Sequence, residues 1–366
     1  MNNKKVLILT APFGNGHKMV AKALYNTFID NDFTNVRVED VFTKAHPVIT
    51  KTIKNTYLKS YNYGKAYSFA FYGVEKLVDK KIMDVYKYFG YTTLKKIIDD
   101  FHPDVIINTF PILASTKIKE RLELDIPIFT TITDFCVHKL WIDENIDKFY
   151  VATNDLQKHL NELNIPITKT VVTGIPIREA FEQKQDISGL YKKYNFDSKK
   201  SLILINAGAF GVMSEINEIC SQLCKDTNIE IAVACGNNKK LKESLDCMNI
   251  ENLRAFGFTD DIHELYKIST CMITKPGGIT LSEALAENLP LILLKPVPGQ
   301  ENENALFFQS KNAAIITYDK EELIEKTKYI TSNPHIIKNM KDSMNDLYNA
   351  YSCKKIVEDI SLELSL

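Results

Sequence analysis

Three glycine turns stand where main-chain amides could meet an anion: Gly14-Asn15-Gly16-His17, Ala207-Gly208-Ala209-Phe210-Gly211 and Pro276-Gly277-Gly278. A glycine turn that opens a helix lets N–H groups approach phosphate, and the helix dipole adds partial positive charge there. The third turn runs on into Ile279-Thr280-Leu281-Ser282-Glu283, which supports two accounts. In one, the amides after Gly278 and the Thr280 hydroxyl hold a diphosphate, and Glu283 accepts hydrogen bonds from two ribose hydroxyls, one on each carboxylate oxygen. In the other, Thr280 and Glu283 form a reciprocal capping box and no ligand is involved. Spacing alone leaves both open. Neither GxGxxG nor GxxxxGK[ST] occurs, which weakens dinucleotide and ATPase readings.

After the next apolar run comes Pro296-Val297-Pro298-Gly299-Gln300-Glu301-Asn302-Glu303-Asn304. Gln300, Glu301 and Asn304 carry the amide and carboxylate groups that read sugar hydroxyls, although a solvated loop has the same composition. This polar turn matters because ligands of open α/β sheets bind at the carboxyl ends of the strands.

These residues need a scaffold of alternating strands and helices, and the chain supplies the pattern. Val6–Thr10 reads as a first buried strand followed by helical spacing from Val20 to Phe28. Further strands are expected at Asp104–Asn108, Ile128–Ile132, Lys148–Ala152 and Val171–Gly174. A polar stretch from Glu179 to Lys200 precedes a second series at Ser201–Asn206, Ile229–Ala234, Leu253–Phe256, Cys271–Thr274 and Leu291–Leu294. Two doubly wound, Rossmann-like α/β halves result. The expected limits are an N-terminal domain at 1–185, a C-terminal domain at 186–335, and C-terminal helices at 336–366 that return to the first domain.

A chain of 366 residues exceeds the roughly 250–300 residues at which single cores stop growing, consistent with two domains. A net charge of −1 argues against a surface built throughout for nucleic acid. The seven cysteines form no CxxC pair and read as reduced thiols. The apolar run after Lys4-Lys5 stops at Pro12, too short for a signal core, and no run approaches the roughly 20 apolar residues of a spanning helix. A cytoplasmic protein with peripheral membrane contact is expected.

That contact has a candidate. Between Lys44 and Lys96 stand eleven lysines against three acids, Glu75, Asp79 and Asp84, interleaved with aromatics such as Tyr57, Tyr61, Phe69, Phe71, Tyr86 and Phe89. Basic charge with aromatic anchors suits an anionic membrane interface. The same mixture could stack on single-stranded nucleic acid or bury its rings as core, but nothing else in the chain supports nucleic acid as a partner.

Taken in order, the motifs resemble a known family. Gly14-Asn15-Gly16-His17, Ile107-Asn108-Thr109-Phe110-Pro111, Thr133-Asp134-Phe135-Cys136-Val137-His138-Lys139-Leu140-Trp141, Thr173-Gly174-Ile175-Pro176-Ile177-Arg178 and the two C-terminal motifs span nearly the whole chain. They resemble the diacylglycerol glycosyltransferases related to plant monogalactosyldiacylglycerol synthases, most closely the bacterial processive diacylglycerol glucosyltransferases. The resemblance implies a GT-B fold, with two Rossmann-like domains facing a central cleft. UDP-glucose would bind the C-terminal domain, and diacylglycerol or its glucosylated products the N-terminal one. By motif match, Gly277, Gly278 and Thr280 would contact diphosphate, Glu283 the ribose, Gln300, Glu301 and Asn304 the hexose, and Phe258 the uracil. Ala209, Phe210 and Gly211 would form a second phosphate loop, Gly16 would face substrate, and Arg178 would face the diphosphate.

A β-glycoside made from an α-linked UDP-sugar implies inversion, which needs one base to deprotonate the acceptor. His17 is the first candidate because an ordinary imidazole pKa near 6.5 suits that task, and Asp134 and His138 are the alternatives. No DxD motif falls in a suitable place, so leaving-group charge is assigned to amides and helix termini; no metal or cofactor is expected. The predicted location is the inner face of the cell membrane. No residue separates glucose from galactose, and a UDP-sugar sensor or a UDP-sugar 2-epimerase would use similar domains; the basic-aromatic segment disfavours the epimerase.

Overall fold

The computed structural model describes residues 2–14, 16–48, 50–52, 80–207 and 215–365. The chain divides into two compact units, one of residues 1–179, 298–300 and 349–366, the other of residues 180–297 and 301–348. The return to the first unit thus falls after Tyr348, later than the 336 expected from sequence.

The first unit holds six parallel strands, β1 (Asn2–Thr10), β2 (Phe33–Asp40), β3 (Val105–Asn108), β4 (Ile128–Thr131), β5 (Lys148–Val151) and β6 (Thr170–Val172), in the order β2-β1-β3-β4-β5-β6. Val6, Leu7, Ile8 and Leu9 of β1 are wholly buried, as a parallel strand covered on both faces must be. The Gly16–Asp30 helix buries Val20, Ala21, Ala23, Leu24 and Phe28, the spacing seen in the sequence. In register, Leu7 faces Ile106 and Leu9 faces Asn108, so β1 and β3 end side by side. This is a topological switch point, because the chain leaves β1 for β2 on one side and β3 lies on the other.

The second unit repeats the scheme with β7 (Ser201–Asn206), β8 (Ile229–Gly236), β9 (Leu253–Gly257), β10 (Cys271–Thr274), β11 (Leu291–Leu294) and β12 (Ala314–Thr317), ordered β12-β11-β10-β7-β8-β9. Its switch point lies between β7 and β10, where Ile205 pairs with Ile273. Ten of the twelve strands fall where the sequence places them. The two unforeseen ones, β2 and β12, sit at sheet edges: β2 alternates exposure irregularly through Asn35, Arg37 and Glu39, and β12 has four residues.

The C-terminal Ser352–Glu363 helix is fastened to the first unit. Lys148 Nζ lies 2.8 Å from Asp359 Oδ2 and 2.6 Å from Glu363 Oε1, and the Tyr150 hydroxyl donates to Asp359 at 2.7 Å. Asn349 donates to Ala152 O and Ser352 to Gly174 O. Gly174 sits at φ +84°, and a Cβ there would stand 2.8 Å from Asn349 O, so both backbone and approach require glycine.

Candidate active site

At the β1/β3 switch point the chain turns through Gly14, whose φ of +84° suits glycine; a Cβ there would touch nothing, so conformation sets the requirement. Gly16 then begins the helix, with His17 as its second residue. Asn15 lies outside the described residues. The His17 Nδ1 stands 2.9 Å from the Thr109 carbonyl oxygen and 2.9 Å from Thr133 Oγ1. A carbonyl only accepts, so Nδ1 carries the proton and Nε2 keeps its lone pair.

Thr109 follows β3 and anchors this arrangement. Its N–H donates to Leu9 O at 2.9 Å, and its hydroxyl lies 3.1 Å from Leu9 O and 3.2 Å from His17 O. The Phe110 ring meets the imidazole edge-on at 4.8 Å, and Trp141 stands 6.3 Å away. His17 is half-buried, and burial lowers its pKa to about 4 despite the opposing bond to Thr109. The positive end of the helix acts in the same direction as burial. His17 is therefore neutral at physiological pH, the state a base requires.

The other two base candidates occupy the loop after β4. His138 is buried and caps the short Lys139–Trp141 turn, its Nδ1 accepting the Leu140 N–H at 3.2 Å. That bond places the neutral ring's proton on Nε2, making His138 a donor there rather than a base. Asp134, 8% exposed, accepts from Gln300 Nε2 at 3.1 Å, and Gln300 O lies 4.0 Å from Cys136 Sγ. Gln300, expected near the hexose, thus holds a carboxylate of the first unit.

At the β7/β10 switch point the helix begins at Gly278 with Gly277 as its cap, and no side chain supplies the cap bond. Thr280 is consequently the third helical residue, and the capping box with Glu283 does not form. The helix starts three residues earlier than the box needs, which removes the capping account and leaves the ligand account standing as an expectation. A Cβ on Gly277 would meet no atom within 4 Å, so the helix N-terminus opens onto space. Glu283 is buried in the second turn. Asn304, expected to read the sugar, is fully buried and donates to Pro276 O at 3.1 Å, which positions the glycine turn. Lys275 is lowered to about 8 by burial, against the opposing field of Glu301.

Phe258, 69% exposed, lines a cavity of about 450 Å³ with Gly236, Asn237, Lys239 and Gly257 at the carboxyl ends of β8 and β9. Arg178 lies half-buried in the loop after β6. Ala209, Phe210 and Gly211, the predicted second phosphate loop, lie outside the described residues, as do residues 53–79 of the basic-aromatic segment. Among the described residues no group of three His, Cys, Asp or Glu side chains is placed to hold a metal ion, and no helix is long and apolar enough to cross a membrane. Asp99 and Asp100, near the end of the Tyr91–Phe101 helix, pair with Lys95 and Arg37. Thr109 and Thr133 carry no prediction of their own; the available signal was their place just beyond β3, which neighbours the glycine turn's strand, and β4, the next strand in the sheet.

Comparison with known proteins bears on the family and the fold. Residues 17–177 match the monogalactosyldiacylglycerol (MGDG) synthase family, and residues 206–359 match the glycosyltransferase family 28 C-terminal domain. A processive diacylglycerol beta-glucosyltransferase of Bacillus cytotoxicus is 44% identical over 367 residues, covering 99% of this chain and 94% of that protein. Among solved structures, the S. aureus MnaA–UDP complex aligns with a TM-score of 0.64 at 16% identity over 99% of this chain and 97% of that one. Acinetobacter baumannii MurG aligns at 0.65 and 14% identity over 98% and 99%. At such identities these structures establish the fold, the two-domain GT-B arrangement of α/β units.

Proposed function

We propose a reaction for this chain from one premise: it belongs to the family of processive diacylglycerol beta-glucosyltransferases. It is a UDP-sugar-dependent hexosyltransferase that moves glucose from UDP-glucose to diacylglycerol, and then to the glucosylated product. The acceptor hydroxyl attacks the anomeric carbon, its proton passes to His17 Nε2, and the C1–O bond to UDP breaks with its electron pair on the diphosphate. The result is an inverted, β-linked glucoside. The observation that carries this reading is the bond from His17 Nδ1 to the Thr109 carbonyl, which leaves Nε2 as a neutral imidazole's only basic atom.

The donor is assigned to the second unit. Main-chain amides at the Gly278–Ala286 N-terminus and the Thr280 hydroxyl receive the diphosphate, Glu283 the ribose and Glu301 the hexose, with Gly16 and Arg178 completing the contacts to substrate. Phe258, with its exposed ring beside a cavity, receives the uracil. Asn304 positions the turn and Gln300 orients Asp134, which supports rather than performs proton transfer.

The lysine-rich segment supports peripheral binding to the inner membrane face, where the acceptor resides. Val48 and Val85, on either side of residues 53–79, are 76% and 74% exposed, a placement of apolar side chains that suits an interface. Purified protein incubated with labelled UDP-glucose and diacylglycerol vesicles is expected to yield labelled mono- and diglucosyl lipid, and little with UDP-galactose. Nucleotide-sugar binding without labelled lipid would favour the sensor instead. Flotation with anionic but not neutral liposomes tests the membrane assignment.

A further inference from the structure

His17 makes two contacts through one nitrogen, and only one is needed to fix its tautomer. The Thr109 carbonyl accepts the Nδ1 proton at 2.9 Å, and Thr133 Oγ1 stands at the same distance from the same atom. Thr109 is immobilised by its own bonds to Leu9 and His17, whereas Thr133, only 3% exposed, reaches the ring from the loop after β4. An oxygen so placed accepts from an N–H already shared with a carbonyl. Such a three-centre bond has little use for a ring that stays neutral and considerable use for one that becomes charged, because hydrogen bonds to an ionised group are roughly twice as strong.

We propose that Thr133 is a positioning residue for the transfer reaction: its hydroxyl accepts the Nδ1 proton alongside the Thr109 carbonyl, holding the ring with Nε2 toward the acceptor and stabilising the imidazolium formed there. The pair takes the place that a carboxylate fills in a Ser-His-Asp triad. The neighbouring carboxylate, Asp134, accepts from Gln300, and a neutral oxygen pair suits a base that must stay unprotonated until substrate arrives. Charged and titratable groups on the surrounding elements are Asp134 and His138 in the β4 loop and Lys18 on the same helix, the last paired with Asp40 at 3.1 Å. The inference rests on the reading of His17 as base, and the test separates the two.

Thr133→Val keeps the shape and removes the acceptor. Single-turnover glucosyl transfer is expected to fall about tenfold or more, the loss of one hydrogen bond to a charged group, with KM for UDP-glucose unchanged. Thr133→Ser is expected to recover the rate to within about twofold. In the valine variant, nitrogen NMR should still show the Nδ1–H tautomer that the Thr109 carbonyl fixes, but the ring should protonate at lower pH because one acceptor for the imidazolium is gone, a shift that Thr133→Ser reverses and a packing defect does not produce. Should circular dichroism show that Thr133→Val does not fold, Thr133→Cys, with its weak sulfur acceptor, is judged by the same rate loss. A valine variant with the wild-type rate and the wild-type His17 titration overturns the proposal. His17→Gln distinguishes the causes: if it abolishes transfer while Thr133→Val is silent, only the Thr133 role fails; if it retains transfer, the base assignment fails and the Thr133 role with it.

Discussion

The two switch points are built alike and equipped differently. At β1/β3 a side chain projects from the helix start, and its outer nitrogen is defined by what the inner one touches. At β7/β10 the helix start is stripped of side chains: Gly277 caps it without a side-chain bond, and open space lies where a Cβ would be. In the proposed reaction the first site moves a proton, so it needs a titratable group held in one tautomer. The second would receive developing negative charge, for which fixed amide dipoles suffice and side chains would obstruct them. One parallel-sheet geometry thus serves two chemistries through the first two residues of a helix.

The sharpest way to break the comparison is to remove the side chain from the first site. His17→Ala is expected to lower kcat by about 10²- to 10⁴-fold, the usual range for general-base catalysis, while leaving UDP-glucose affinity nearly intact. Steady-state kinetics with calorimetry of UDP binding check both halves; a variant that loses UDP binding would move His17 to the donor side. The reciprocal change adds a side chain to the second site. Gly277→Ala meets no protein atom at a φ of −78°, so thermal stability should be unchanged while KM for UDP-glucose rises about tenfold as the methyl crowds the amides. A drop in stability without a kinetic effect would mean that the glycine serves packing.

A smaller effect concerns charge at the second site. Lys275 is held down to about 8 by burial, and a diphosphate nearby would restore its charge. Donor binding should therefore take up a proton, and KM for UDP-glucose should climb severalfold as pH rises past 8. Lys275→Met should flatten that climb; an unaltered profile would remove the lysine from the donor site.

Much of this scaffold was legible because parallel strands buried on both faces read as continuous apolar runs, as Ser201–Asn206, Cys271–Thr274 and Leu291–Leu294 do. Phe33–Asp40 breaks that pattern with polar, exposed or partly exposed residues such as Thr34, Asn35 and Arg37, and Ala314–Thr317 is only four residues long. The candidate site was legible wherever a residue's place is set by its own turn, as it is for His17, Gly277 and Gly278. It was illegible where function depends on a neighbour brought by topology. Thr109 and Thr133 stand 92 and 116 positions from His17, and only the pairing of β1 with β3 and of β3 with β4 brings them to the ring. Asn304 shows the converse: its amide suits a sugar, and the fold also gives it a bond to Pro276 that its sequence position does not announce.

The finest distinction lies in how each site responds to acid. Burial lowers the His17 pKa from 6.5 to about 4, so between those values the unfolded chain binds a proton that the folded chain refuses. Stability from this group is fully present above about pH 6.5 and is lost as pH falls toward 4. Lys275, with its shift on the alkaline side, contributes nothing in that window. The urea midpoint of the wild type should consequently decline more steeply between pH 6.5 and 4 than that of His17→Gln, which has no proton to exclude. Equal slopes would mean that burial does not depress the ring's pKa, and the case for a base kept neutral by burial at the first switch point would go with it.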